Sequence, residues 1–271
     1  TDLLGAGLGV VGLVLINFAW NQAPVVGWNM PYTYVLLIVG ILFIGLFAFV
    51  EFRVSKFPLI PFHLISPNAG FVLACVAFGW ASFGIWVFYL WQILEELRHI
   101  SPLLASAQLV LVCLSGLAAT IVTGYIIHRV PGSFVMMCSV VAFTVGSILL
   151  ATVPVDQTYW AQTFVSIIIM PWGMDMSFPA ANLLLSNSMP KEHQGVSASL
   201  VNTIINYSIS LALGFAGTIE VHVNNGDTLK GYRGALYFAI GMGSAGIVTA
   251  GLFGFNSWRK SRGKPFSKWD E

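Results

Sequence analysis

Eight long apolar runs divide this chain, and they constrain its fold more than any other feature. They cover about 3–20, 32–50, 69–92, 103–127, 133–152, 160–187, 197–219 and 235–257, and about 20 mostly apolar residues suffice for a helix to cross a bilayer. Composition agrees. Hydrophobic residues are 57% and charged residues 8% of the 271, whereas soluble domains carry about 25% charged residues. Twelve Lys/Arg and eleven Asp/Glu are too few to cover a globular surface. Strands of a membrane barrel alternate with period two over about ten residues; these runs are continuous for longer, so helices are expected. The expected fold class is an all-α membrane protein of about eight transmembrane helices. No connector is long enough for a separate soluble domain.

The cations set an orientation. Arg53, Lys56, Arg129, Lys191 and the tail (Arg259, Lys260, Arg262, Lys264, Lys268) fall on one side, against Arg98, Lys230 and Arg233 on the other. Cytosolic loops carry the Lys/Arg excess, which puts both ends of the chain in the cytosol. Trp20, Trp28, Tyr32 and Tyr34 flank the first outer loop, as an interfacial belt does. The basic tail reads as a fixer of topology or as a contact for anionic lipid. The chain opens Thr1-Asp2 without a Met or a basic leader, which predicts a fragment of a longer protein.

Several function classes find no support. The net charge of +1 offers no field for nucleic acid. There is no GxxxxGK[ST] loop, HExxH, GxSxG or paired-His spacing, so no cofactor, no metal and no enzymatic activity are expected. Cys75, Cys113 and Cys138 are odd in number and lie in apolar runs, where they read as packing residues.

The first two runs differ from the rest, because neither holds an internal ionisable residue. Gly5 and Gly9 form a GxxxG, read as close helix packing, with dimerisation as the alternative. Residues 51–68, with Pro58, Pro61 and Pro67, read as a linker along the cytosolic interface. The other six runs suit a three-plus-three repeat of the kind transporter halves use.

Asp175 is the sharpest candidate. It follows Trp160 by fifteen residues, about 22 Å along a helix axis, deep in a hydrocarbon core about 30 Å thick. A carboxylate there costs several kcal/mol unless it is paired, protonated or facing water, which makes it a functional site by default and a candidate proton carrier. The competing reading is a cap on backbone NH groups freed where Pro171, Gly173 and Pro179 disturb the helix. Two prolines in one span predict a broken helix facing the protein interior or a water-filled cavity.

Other polar features are weaker. Ser199, Asn202, Thr203, Asn206 and Ser210 share one helical face, either an interhelical hydrogen-bonding seam or a cavity wall. In the aromatic run over 69–92, Trp86 and Tyr89 share a face with Ser82 and suit an amphipathic ligand, or simple packing. Asn202, Asn206, Trp86 and Tyr89 are the substrate-binding candidates. Gly124, Arg129 and Gly132 bracket a tight cytosolic turn in which Arg129 can meet a carboxylate or a helix C-terminus.

The stretches Gly173–Asn182, Pro190–Gly195 and Ser199–Ser208 resemble fungal major facilitator superfamily transporters, of the fourteen-span drug:proton antiporter type linked to aminotriazole resistance. The likeness runs along essentially the whole chain. It implies that residues 1–50 are two linker spans, 51–68 a cytosolic linker, 69–257 the C-terminal six-helix half and 258–271 a basic cytosolic tail. The first and fourth helices of that half, which carry Trp86, Tyr89 and Asp175, would line the cavity. The second and fifth would be gates, the latter bearing Asn202 and Asn206, and the third and sixth would lie outside. The loop around Gly124, Arg129 and Gly132 resembles a degenerate copy of the superfamily's cytosolic loop motif, with His128 where the pattern favours Asp.

The expected function is proton-coupled efflux of drugs or other small molecules by alternating access. The expected partners are the lipid bilayer, a small-molecule substrate, protons and the missing N-terminal half, in the plasma or vacuolar membrane. The alternatives are uptake of a nutrient or siderophore, or a non-transporting truncated membrane scaffold. With half of a rocking pair present, the 271-residue chain is not expected to transport alone.

Overall fold

The computed structural model describes residues 2–55, 59, 66–190 and 194–261. Lys56, Pro58, Pro61, Lys191, Arg262, Lys264 and Lys268, to which the sequence reading gives linker or topology roles, lie outside the described residues. Within them the chain forms eight membrane-length helices: α1 Leu3–Val26, α2 Pro31–Arg53, α3 Pro67–Gln92, α4 Pro102–Ile126, α5 Gly132–Ala151, α6 Gln162–Asn187, α7 Gln194–Asn224 and α8 Thr228–Ser261. A π-helical turn, Ile93–Leu97, prolongs α3.

The helix starts follow local chemistry. The Asp2, Ser66 and Ser101 side chains accept from the amides of Gly5, Ala69 and Leu104. Each satisfies one of the donors that a first turn leaves orphaned. Pro31, Pro67 and Pro102 occupy first-turn positions, where a missing N–H costs nothing. Asn225 and Gly226, both at positive φ, turn the chain between α7 and α8.

The helices outrun their apolar windows. α7 extends to Asn224 rather than 219, α8 covers Thr228–Ser261 rather than 235–257, and α3 with its π-turn reaches Leu97 rather than 92. Hydropathy marks the edge of the hydrocarbon, whereas backbone hydrogen bonding continues into the interface.

α3 is the hub of the bundle, packing on α5, α6, α7 and α8. Its far half joins α5, α6 and α8 in a core around Ile85, Trp86, Phe143 and Met170. Its near half builds a second core around Val76, Met136, Leu185 and Phe253. α4 rests on α6, and α1 and α2 form a hairpin whose first helix packs on α7. Close approach at glycine makes these seams. A Cβ on Gly12 would lie 2.8 Å from Ile44 Cδ1, and one on Gly214 would lie 2.8 Å from the Trp20 carbonyl group. Gly5 and Gly9 face the α2 side chains Glu51 and Phe47, so the GxxxG packs within the hairpin.

Two expectations change. α6 is one continuous helix despite Pro171 and Pro179. Hydroxyls from its neighbours serve its carbonyls near the first proline: Ser115 donates to the Ile168 oxygen (2.6 Å) and Ser139 to that of Gly173 (2.7 Å). Secondly, α5, expected at the periphery, is the most enclosed of the eight helices, and Phe134, Val141 and Ile148 form its narrow exposed stripe. The broadly exposed helices of the six are α4 and α7.

Candidate functional site

Asp175 projects from the middle of α6 across the seam with α4. Its Oδ2 sits 2.8 Å from where a Gly116 Cβ would stand, so the absent side chain makes room for the carboxylate. Thr120, one turn further along α4, lies close to it. The carboxyl is half-buried and Thr120 is exposed, so the group sits at the rim of the bundle rather than in its core. The carboxylate is directed at Gly116 on α4, which disfavours the cap on α6 backbone amides. Gly116→Val is expected to displace the carboxylate and overpack the α4–α6 seam, at a cost of about 1–3 kcal/mol. Thermal unfolding in detergent checks this.

The polar stripe of α7 divides into two parts. Ser210 donates to Asn17 Oδ1 of α1 (2.9 Å), and Asn21 Nδ2 donates to the same oxygen (2.7 Å) and to the Ser210 carbonyl (3.2 Å). The rest of the stripe is open. Ser199, Asn202, Thr203, Asn206 and Tyr207, with Asn17, line a groove of about 450 Å³. The structure therefore brings the candidates Asn202 and Asn206 together, and it adds Asn17 and Tyr207, which the sequence reading missed. The signal for Asn17 was the pair Asn17 and Asn21, two amides one turn apart in an otherwise apolar span.

Trp86 and Tyr89 are placed differently. They are 2% and 1% exposed, so neither forms an open wall in this conformation. Trp86 Nε1 donates to Ser166 Oγ (2.7 Å), which in turn donates to the Gly146 carbonyl (2.8 Å), linking α3, α6 and α5. Tyr89 donates its phenol to Glu220 on α7 (2.7 Å). An indole or phenol in a core needs such a partner, and here it is supplied internally.

Tyr89 also belongs to a cluster that sequence spacing could not reveal. Tyr232 on α8 donates to Glu96 in the π-turn, and the rings of Tyr89 and Tyr232 lie 5.4 Å apart. Four side chains thus tie α3, α7 and α8 at one end of the bundle. Glu96 and Glu220 fall just past the apolar windows, and nothing in the sequence links them. Tyr89→Phe is expected to destabilise this end by about 1–2 kcal/mol, the worth of one hydrogen bond to an acidic group. Thermal unfolding in detergent reads that change.

The loop residues have modest roles. The Arg129 guanidinium lies 3.5 Å above the Tyr125 ring, a cation–π contact. Gly124 falls inside α4 with open space around it. Gly132 opens α5, and a Cβ there would lie 2.6 Å from Leu184, so this glycine serves packing against α6 rather than the turn. Among the described residues no cluster of His, Cys, Asp and Glu could hold a metal ion.

Several known proteins are similar to this chain. The profile described as Major Facilitator Superfamily matches residues 69–268. The low affinity ammonium transporter of Saccharomyces cerevisiae is 58% identical over 96% of this chain and 51% of its own length. Efflux pump terJ of Aspergillus terreus is 53% identical over 96% and 50%. The aminotriazole resistance protein of S. cerevisiae is 41% identical over 96% and 49%. A crystal structure of the nucleoside transporter NupG superposes with a TM-score of 0.53 at 12% identity, covering 88% of this chain and 64% of that one, a likeness of fold. The chain spans about half the length of the curated relatives it matches. It is a multi-pass membrane protein and belongs to the Major Facilitator Superfamily of transporters.

Proposed function

We propose that this chain is the C-terminal portion of a proton-coupled exporter of drugs or other small molecules, working by alternating access. Asp175 carries the reading. It is a carboxylate deep in a membrane span, seated at a seam between two helices, and such a group is costly unless paired, protonated or facing water, which marks it as functional by default. Protonation would remove that cost, and loss of the proton would restore it, which biases the α4–α6 seam beside Gly116 between two states.

In this reading residues 1–50 are linker spans, 51–68 a cytosolic linker, 69–257 the transporting half and 258–271 a basic cytosolic tail. Both ends lie in the cytosol, as the cation excess suggests, in the plasma or vacuolar membrane. The other half of the transporter, lipid, protons and the substrate are the partners. The similarity to proteins named as an efflux pump and an aminotriazole resistance protein supports export. The similarity to a protein named as a low affinity ammonium transporter favours a second reading, uptake of a small nitrogenous nutrient.

Imposed gradients separate the two. Full-length protein in liposomes, given 3-amino-1,2,4-triazole, is expected to accumulate it when the lumen is acidic, because exiting protons drive entry in antiport. Accumulation only when the outside is acidic would indicate symport and uptake. No gradient-dependent movement of either this probe or methylammonium would overturn proton-coupled transport.

A further inference from the structure

We propose that the groove between α1 and α7 is a binding subsite for solutes that donate hydrogen bonds from nitrogen, and that Asn17 of the linker hairpin sets its selectivity. The chemistry of the lining gives the ligand class. Asn202 Nδ2 donates to the Ala198 carbonyl (3.0 Å), and Asn206 Nδ2 to that of Asn202 (2.8 Å). Carbonyls only accept, so the orientation of both amides is fixed, and each keeps both lone pairs of its Oδ1 as acceptors and one N–H as a donor. Thr203 likewise spends its proton on the Ser199 carbonyl (2.9 Å). Along α7 the groove therefore offers a surplus of acceptors, and its six lining residues include no charge.

Asn17 supplies the complement. Its Oδ1 already accepts from Ser210 and Asn21, so that oxygen is committed. Its own Nδ2 has no partner among the described hydrogen bonds and remains a donor for the groove. The Asn21 contact to the Ser210 carbonyl and the close approach at Gly214 hold α1 against α7. The linker hairpin is thus a wall of the subsite rather than a tether. A ligand with two N–H donors and one acceptor, such as an amino-substituted azole or a small amide, matches this array.

The inference rests on the transport reading, and its test uses binding so that the two can fail separately. In full-length protein with its other cysteines replaced, the Ser199→Cys variant is labelled with N-ethylmaleimide. The competitors are 3-amino-1,2,4-triazole, which has N–H donors, and 1-methyl-1,2,4-triazole, which only accepts. Saturating amino compound is expected to slow labelling about tenfold, with the methyl compound protecting far more weakly. Adding Asn17→Leu is expected to raise the half-protecting concentration about fivefold to tenfold, the loss of roughly one hydrogen bond. Equal protection by both compounds, protection by neither, or indifference to Asn17→Leu would each overturn the proposal. So would complete resistance to N-ethylmaleimide, which would mean that other parts of the protein cover the groove. Protection without gradient-driven flux would sink the transport reading alone.

Discussion

Replacing Asp175 by Asn is expected to lower pH-gradient-driven flux of the full-length transporter at least about a hundredfold while leaving substrate exchange at equal pH within a few-fold. The split follows from what the substitution changes. Asn keeps the shape, so the seam with α4 remains packed over Gly116. It cannot gain or lose a proton, so under the proposed mechanism coupling to a gradient is lost. A factor of about one hundred corresponds to about 2.7 kcal/mol, comfortably within the several kcal/mol at stake in ionising a carboxyl inside a membrane. A purely structural Asp175 would give the opposite pattern, with both activities falling together as the protein loosens. Asp175→Glu tests the geometry. It retains the proton but lengthens the arm toward Gly116, where no space is spare, so slower coupled flux is expected rather than none.

The second large effect is on stability. Gly173→Val is expected to cost about 3 kcal/mol and to lower the thermal unfolding midpoint in detergent by roughly 5 °C or more. A Cβ at Gly173 would lie 2.6–2.8 Å from three atoms of the Phe143 ring. An exposed ring would swing aside, but Phe143 is 0% exposed and its other edge lies 2.7–2.8 Å from the Cβ position of Gly79. The ring is held between α3 and α6, so the added methyl groups must push the helices apart. Ser139 donates to the Gly173 carbonyl at the same crossing, so that hydrogen bond weakens with the packing. Gly173→Val combined with Phe143→Leu is expected to recover part of the loss, because the shorter side chain returns volume at the crossing.

The eight spans were legible because a bilayer demands long apolar runs whatever their neighbours are. Their ends were not, since the outer turns of α7 and α8 are polar yet remain helical. Asp175 stood out because ionisable residues are rare in such runs, whereas Gly116 and Thr120 did not, because ordinary residues become partners only through packing. Helical spacing placed Trp86 and Tyr89 on one face, and nothing in that periodicity says whether a face meets a cavity or a neighbouring helix. The hydrogen bonds to Ser166 and Glu220 show that it meets helices here. The prolines of α6 led to an expected break because each removes a donor. The hydroxyls of Ser115 and Ser139 that support the continuous helix come from α4 and α5, and one strand of sequence does not reveal such donors. Asn17 does not stand out by charge, the property that marks Asp175, although paired amides are equally out of place in lipid.

The central claim is that Asp175 carries the coupled proton, and proton release on substrate binding tests it most directly. Purified full-length transporter in weakly buffered detergent with a pH indicator is mixed with a saturating substrate. The account predicts that the wild type releases protons and that Asp175→Asn binds the same substrate without releasing any. Equal release from both proteins would contradict the account and move the coupling site elsewhere.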